Sequence, residues 1–103
     1  MAWVIGMNSI IERRQLPLFG PYVEPRSPTE KVLAEIWCHF LSVDSVGIRD
    51  SYEDLGGDSL LAAGIYVEIE EKFKVKVPPG ILAEARTIEQ LASRIDDLQQ
   101  RGK

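Results

Sequence analysis

Cysteine and histidine, which supply most disulfide, metal and redox chemistry in proteins, are nearly missing from this sequence. Its 103 residues include one cysteine, Cys38, and one histidine, the neighbouring His39. A single cysteine cannot form an internal disulfide, and a zinc site needs several cysteines or histidines at short spacing. We therefore expect no disulfide, no metal site and a reducing, cytoplasmic setting.

Positive charge and long apolar runs are also scarce. Lysine and arginine number 12 against 16 aspartates and glutamates, which gives a formal net charge of -4 at pH 7. Proteins that bind nucleic acid usually carry a basic surface, so this balance argues against nucleic acid as a partner. The apolar stretch at residues 1–7 is too short to span a membrane and contains no basic residue of the kind that opens a signal peptide. We expect a monomer that binds neither nucleic acid nor a membrane.

The residues that are present indicate one small globular domain preceded by a flank. Hydrophobic residues make up 45% of the chain and charged residues 27%, a balance typical of a folded protein. The length suffices for a single domain. Within residues 1–26, several prolines block any long helix. We expect this flank to be largely extended or mobile, with at most a turn or two of helix near residues 10–14, and the domain to occupy residues 27–101.

The first strong helix signal begins at Ser27. This serine, Pro28 at the first helical position and Glu30 three residues after the serine together form a capping box. The apolar residues that follow recur at offsets of three and four, as on the buried face of an amphipathic helix. They are Val32, Leu33, Ile36, Trp37, Phe40 and Leu41. We expect this helix to end near Ser42.

Three further helices and one long loop complete the predicted fold. Residues 43–58 have no helical period and predict a loop, whose spaced apolar residues should hold it against the bundle. A second helix should extend from Ser59 to Phe73, and residues 81–85 allow only a short helix. The capping pattern returns at Thr87 and opens a final helix. The sequence therefore predicts an all-α fold, a four-helix bundle with a short third helix and a long loop between helices one and two.

Gly56, Gly57, Asp58 and Ser59 stand where the long loop meets the second helix. Two glycines permit a tight turn and a close approach, after which Asp58 and Ser59 place a hydroxyl at an exposed helix start. A helix N-terminus favours anions, so a phosphodiester on Ser59 would be stabilised there. Helix capping alone also selects aspartate and serine at such a position, so these two residues by themselves leave both interpretations open.

Beyond this motif, the sequence from about residue 22 to residue 98 resembles the carrier domains, also called thiolation domains, of nonribosomal peptide synthetases. The order and the spacing of the matching residues both fit, and the resemblance covers about three-quarters of the chain. The matching segments are Tyr22-Val23-Glu24-Pro25-Arg26, Thr29-Glu30, Val46-Gly47-Ile48, residues 50–62, Glu71-Lys72-Phe73, Val77-Pro78, Thr87-Ile88 and Leu91-Ala92. The chain departs from the family's usual pattern at Ser51-Tyr52 and at Gly64.

The resemblance implies a four-helix carrier fold that is modified on Ser59. A phosphopantetheinyl transferase would move 4′-phosphopantetheine from coenzyme A onto this serine, and the thiol of the arm would hold an aminoacyl or peptidyl group as a thioester. Adenylation, condensation, thioesterase or tailoring enzymes would then act on that group. The chain would be their substrate and no enzyme itself.

The resemblance also implies a surface that partner enzymes recognise. Its expected members are Asp58, Leu60, Leu61, Ile81 and Leu82. Helical spacing alone would instead place Leu61, Ile81 and Leu82 in the core, so both interpretations of these three residues stay open.

Two other functions fit the same helical pattern. A carrier of a polyketide or fatty acid pathway shares the aspartate–serine pair, and an unmodified docking or regulatory bundle needs no attachment residue. An enzymatic function is disfavoured, because the nucleophile elbow of a serine hydrolase needs a glycine two residues after the serine, where this chain has Leu61. No lysine of a phosphate-binding loop follows the two glycines. We expect no catalytic residue in the chain.

Overall fold

The computed structural model describes residues 10–16, 18 and 20–101. In this part of the chain the helices are α1 (Pro28–Leu41), α2 (Ser59–Phe73), α3 (Ile81–Glu84) and α4 (Ile88–Arg101). A short 3-10 turn at Arg13–Gln15 precedes them, close to the turn expected near residues 10–14. The described residues form no β-sheet. The predicted all-α, four-helix bundle is confirmed.

Helix α1 begins as its capping box predicts. The Ser27 hydroxyl oxygen accepts a hydrogen bond from the Glu30 backbone N–H (3.1 Å), and the Glu30 carboxylate accepts one from the Ser27 backbone N–H (3.1 Å). At the other end, Ser42 adopts the left-handed conformation (φ 55°), and its N–H donates to the carbonyl oxygen of Cys38. Both ends of α1 agree with the sequence prediction.

The other helices start and end at or near the predicted residues. Helix α2 spans the predicted residues, and α3 ends at Glu84, one residue before its expected end. Before α4, the Thr87 hydroxyl accepts from the Gln90 N–H (3.2 Å), while the Gln90 side-chain oxygen accepts from the backbone N–H of Arg86 (3.1 Å). The capping pattern is present, but the Gln90 side chain accepts from the backbone N–H of Arg86 and not from that of the N-cap residue Thr87. None of the helices in the described ranges has both the length and the apolar character that crossing a membrane requires.

The core lies where α1 packs against α2 and α4. Trp37 of α1, Ile65 of α2 and Ile95 of α4 are all completely buried. Burial of such side chains is the main source of the domain's stability. Gly64 lets α1 and α2 approach closely, because a Cβ at this position would lie 2.6 Å from the ring of Phe40. This contact explains a glycine in the interior of α2.

The loop between α1 and α2 is held against the bundle by its spaced apolar side chains, as predicted. None of them is more than 5% exposed; they are Val46, Ile48, Tyr52 and Leu55. Asp50 is buried among them, with 3% of its surface exposed. A buried carboxylate is costly unless charged or hydrogen-bonding groups surround it. The N-terminal flank supplies such a group.

The described part of the N-terminal flank lies against this loop. Ile11 forms a parallel bridge with Val43, and Arg13 contacts the carboxylate of Asp50 through Nε (2.5 Å) and Nη2 (2.6 Å). The Gly47 backbone N–H donates to the same carboxylate (2.8 Å). Residues 1–9, 17 and 19 of the predicted flank lie outside the described residues. The division of the chain into a flank and a domain stays a prediction.

Candidate functional site

Two glycines shape the turn that precedes α2. Gly56 has a φ of +96°, in the region that favours glycine. Gly57 packs directly on Tyr52, and a Cβ at residue 57 would overlap the tyrosine ring. The Gly57 N–H closes the turn by donating to the carbonyl oxygen of Tyr52 (2.9 Å). The tight turn and the close approach expected of these glycines are both present.

Asp58 is the N-cap of α2. Its Oδ1 accepts a hydrogen bond from the Leu61 backbone N–H (2.8 Å). Ser59 is therefore the first residue of the helix, and it is exposed. Within the described residues, the backbone N–H groups of Ser59 and Leu60 donate to no acceptor. The helix thus presents two hydrogen-bond donors and the positive end of its dipole to solvent beside the serine hydroxyl.

Tyr52 of the loop supports the start of α2 from the side of the core. The Tyr52 hydroxyl donates to the backbone carbonyl oxygen of Asp58 (2.7 Å), and its ring lies edge-on to Trp37 with 5.3 Å between ring centroids. Burial raises the pKa of the Tyr52 hydroxyl, and the negative charge of Asp58 raises it further. The hydroxyl therefore stays protonated at neutral pH and remains a donor.

The contribution of Tyr52 was not predicted from the sequence. Its spacing indicates only that the residue is buried, and no local pattern links it to the residue six positions later. One signal was visible, because the chain departs from the family's pattern at Ser51-Tyr52 and a buried tyrosine hydroxyl usually has a polar partner.

A groove of about 340 Å³ lies beside Ser59. The loop, α2 and α3 form its walls, which include Tyr52, Ala62, Tyr66 and Leu82. The Tyr66 hydroxyl accepts only a long hydrogen bond, 3.5 Å from the Leu82 backbone N–H. The lining of the groove is mainly apolar, and its polar residues include Glu53, Asp58 and Ser59 besides the two tyrosines.

The five residues expected at the partner surface fall into two groups. Leu60 is 84% exposed, Asp58 is exposed and Leu61 is half-buried. Ile81 and Leu82 belong to the hydrophobic core instead, with exposed fractions of 0% and 5%. The placement of Ile81 and Leu82 corrects the expected surface, because the short α3 uses both side chains to close the bundle. Of the five residues, the accessible ones are the three at the start of α2.

The surroundings of Ser59 are those of an accessible hydroxyl. Its side chain makes no hydrogen bond to any other described residue.

The single histidine and the single cysteine both lie on α1. His39 is exposed and edge-on to the ring of Phe40, with 5.3 Å between the ring centroids. Cys38 is half-buried, and burial raises the pKa of its thiol. The described residues contain no group of three or more side chains suited to hold a metal ion.

Comparison with known proteins places these features in a family. Residues 31–95 match the family described as phosphopantetheine attachment site. The chain is 40% identical over 102 residues to gramicidin S synthase 2 of Aneurinibacillus migulanus, in an alignment that covers 92% of this chain and 2% of the synthase. The chain therefore spans a very small part of this curated relative.

Solved structures of similar size match over most of their length. An active-site mutant of a peptidyl carrier protein is 31% identical, with a TM-score of 0.73 and coverage of 78% of this chain and 89% of that chain. A second match comes from the phosphopantetheine transferase Sfp in complex with coenzyme A and a peptidyl carrier protein. It is 33% identical, with a TM-score of 0.71 and coverage of 74% of this chain and 99% of that chain. Together with the family match, these similarities show that the chain belongs to the phosphopantetheine attachment family, as a peptidyl carrier domain of the nonribosomal peptide synthetase type.

Proposed function

We propose that Ser59 is the residue to which 4′-phosphopantetheine is attached. The observation that carries this proposal is an exposed hydroxyl at the first residue of α2, directly after the Gly56-Gly57-Asp58 turn. The backbone N–H groups and the dipole at this helix start suit the negative charge of a phosphodiester. The transfer would replace the serine O–H bond by an O–P bond, break the diphosphate link of coenzyme A and release adenosine 3′,5′-bisphosphate.

The attached arm supplies a thiol, which would hold an aminoacyl or peptidyl group as a thioester. The chain's own part is to keep the serine at a fixed, accessible corner and to offer a contact surface around it. Leu60 is next to the attachment residue and is almost fully solvated. With Asp58 and Leu61 it forms the proposed partner surface. A carrier needs no general base beside its serine, because the transferring enzyme provides the catalytic groups.

We propose as partners a phosphopantetheinyl transferase and adenylation, condensation, thioesterase or tailoring enzymes, in the cytoplasm. The chain would act on none of its partners and would be a monomeric substrate of each. Similarity to a carrier protein solved with a transferase and coenzyme A supports the first partner. Similarity to a gramicidin S synthase supports the others.

Intact-mass spectrometry tests the attachment residue. After incubation with coenzyme A and a broad-specificity phosphopantetheinyl transferase, the wild-type protein should gain the mass of one phosphopantetheine group. Ser59→Ala should gain nothing, while Ser93→Ala, which removes an exposed hydroxyl on α4, should be modified like the wild type. A wild-type protein that stays unmodified would refute the carrier function, and a modified Ser59→Ala variant would refute the assigned residue.

A further inference from the structure

The residue before the proposed attachment point is held by more than the usual helix cap. The Asp58 carbonyl oxygen accepts two hydrogen bonds, one from the Ala62 backbone N–H (3.0 Å) and one from the Tyr52 hydroxyl (2.7 Å). Its carboxylate accepts the Leu61 N–H in addition. Ser59, by contrast, has no side-chain hydrogen bond to the described residues. The position of the Ser59 backbone is therefore set through Asp58.

Tyr52 is itself fixed at several points. Its backbone N–H donates to the carbonyl oxygen of Arg86 (2.8 Å), and its own carbonyl oxygen accepts from the Gly57 N–H (2.9 Å). The ring is 5% exposed and packs edge-on against Trp37 in the core. Since neither end of the side chain is free to move, the hydroxyl links the core rigidly to the peptide before Ser59.

We propose that Tyr52 is a positioning residue for the attachment reaction at Ser59, an inference that rests on the function proposed above. Its hydroxyl restricts the Asp58 peptide, so the direction of the Ser59 Cα–Cβ bond is fixed before the transferase binds. Gly57 is part of the same arrangement, because any side chain there would overlap the Tyr52 ring and displace the hydroxyl. The expected benefit appears in the transfer step, since a preoriented nucleophile loses less freedom there.

The test is the kinetics of arm transfer to Tyr52→Phe, which removes one oxygen atom and keeps the buried ring. We expect kcat for the carrier substrate to fall about two- to tenfold, the effect of losing one hydrogen bond that restricts the nucleophile. KM should stay unchanged, because the exposed surface around Leu60 is intact. Tyr66→Phe is the matched control: it removes a tyrosine hydroxyl from the same groove, and kcat should equal the wild-type value.

Amide hydrogen exchange separates positioning from a general structural role. Tyr52→Phe should speed exchange at Leu61 and Ala62, in the first turn of α2, and leave Ile95 in the core of α4 unchanged. An unchanged kcat, or faster exchange throughout the protein with no kinetic effect, would overturn the proposal. A wild-type protein that accepts no arm would refute the proposed function instead, so the two failures are distinguishable.

Discussion

Leu60 lies directly beside the proposed attachment residue and is the most exposed large hydrophobic side chain in the described ranges. Single exposed leucines are common on protein surfaces, so exposure alone says little about function. The position is more informative, because an enzyme that reaches the Ser59 hydroxyl must approach within contact distance of the next side chain. Burial of a leucine in a partner's pocket then contributes to binding.

Replacing Leu60 by glutamate should weaken recognition and leave the fold intact. We expect kcat/KM for arm transfer and for aminoacyl loading to fall about tenfold, as for loss of an interface anchor. The helical circular dichroism and the free energy of unfolding should stay within about 0.5 kcal/mol of the wild type. Val67→Glu, a 55% exposed position two turns further along α2, serves as the control and should transfer normally. Loss of helicity in Leu60→Glu would instead assign this residue to the core.

At the residue scale, local chemistry decides what a sequence can predict. Asp58 and Ser59 were identifiable because a helix cap depends on residues within four positions. The Tyr52 hydroxyl and the burial of Ile81 depend on contacts between separate segments, which no local pattern contains. For Ile81, helical spacing was compatible with both a surface and a core position, and the packing of α3 decides between them.

At the scale of elements, the N-terminal flank packs against the loop between α1 and α2 through side-chain contacts. The pairing of Arg13 with Asp50 joins residues 37 positions apart, and the side chains are only 15% and 2% exposed. Arg13 also lies over the ring of Tyr22, with 5.0 Å from Cζ to the ring centroid. Through these contacts the flank helps to hold the loop in place. Its prolines predict the absence of a long helix, but they do not predict packing against another segment.

Arg13→Ala, which removes the guanidinium group that pairs with Asp50, should destabilise the domain. The buried Asp50 carboxylate would keep the Gly47 N–H and lose its charged partner, which typically costs about 3–5 kcal/mol. Urea unfolding at neutral pH measures the change. Arg14→Ala is the matched control, because Arg14 is 81% exposed and, among the residues that the structure describes, forms an ion pair only with Glu12, so its loss should cost under about 1 kcal/mol. Equal stability of the two variants would contradict docking of the flank.

Helix boundaries, in contrast, were predictable almost to the residue. The Ser27 capping box fixed the start of α1, and the change from loop composition to an apolar period fixed the start of α2. Such signals act over one turn of helix, so neighbouring sequence suffices. The end of α3 was off by one residue, since a helix of four residues has hardly any periodicity to read.

For the whole molecule, the capping carboxylate of Glu30 links stability to pH. Burial raises the pKa of Glu30, but hydrogen bonds from the backbone N–H groups of Arg26 and Ser27, together with the positive charge of the Arg26 side chain, outweigh this effect, and the net pKa is lowered. A lowered pKa in the folded state contributes stability above the unfolded value, near 4.5. That stability is lost as the pH falls through the folded pKa.

Glu30→Gln should therefore change the acid sensitivity of unfolding. At about pH 7 we expect this variant to be less stable than the wild type by about 1 kcal/mol, because a neutral amide accepts the cap bonds more weakly. The difference should shrink as the pH falls below about 4.5, where the unfolded carboxyl takes up a proton, and should be gone once the pH is below the lowered pKa of the folded carboxyl. Urea titrations at several pH values measure it, with Glu35→Gln, an exposed position on the same helix, as the control. A difference that is independent of pH would contradict the assignment to Glu30.

The docked flank also determines how the molecule bears mechanical load. Tension applied at residue 10 would first stretch the hydrogen bonds of Ile11 with Ser42 and Asp44, and then the pair of Arg13 with Asp50. Ser42 is the C-cap of α1, whereas Asp44 and Asp50 are on the loop that leads to Ser59, so the end of α1 and the loop would carry the force together. Tension at residue 10 would therefore act directly on the loop that ends at the proposed attachment residue.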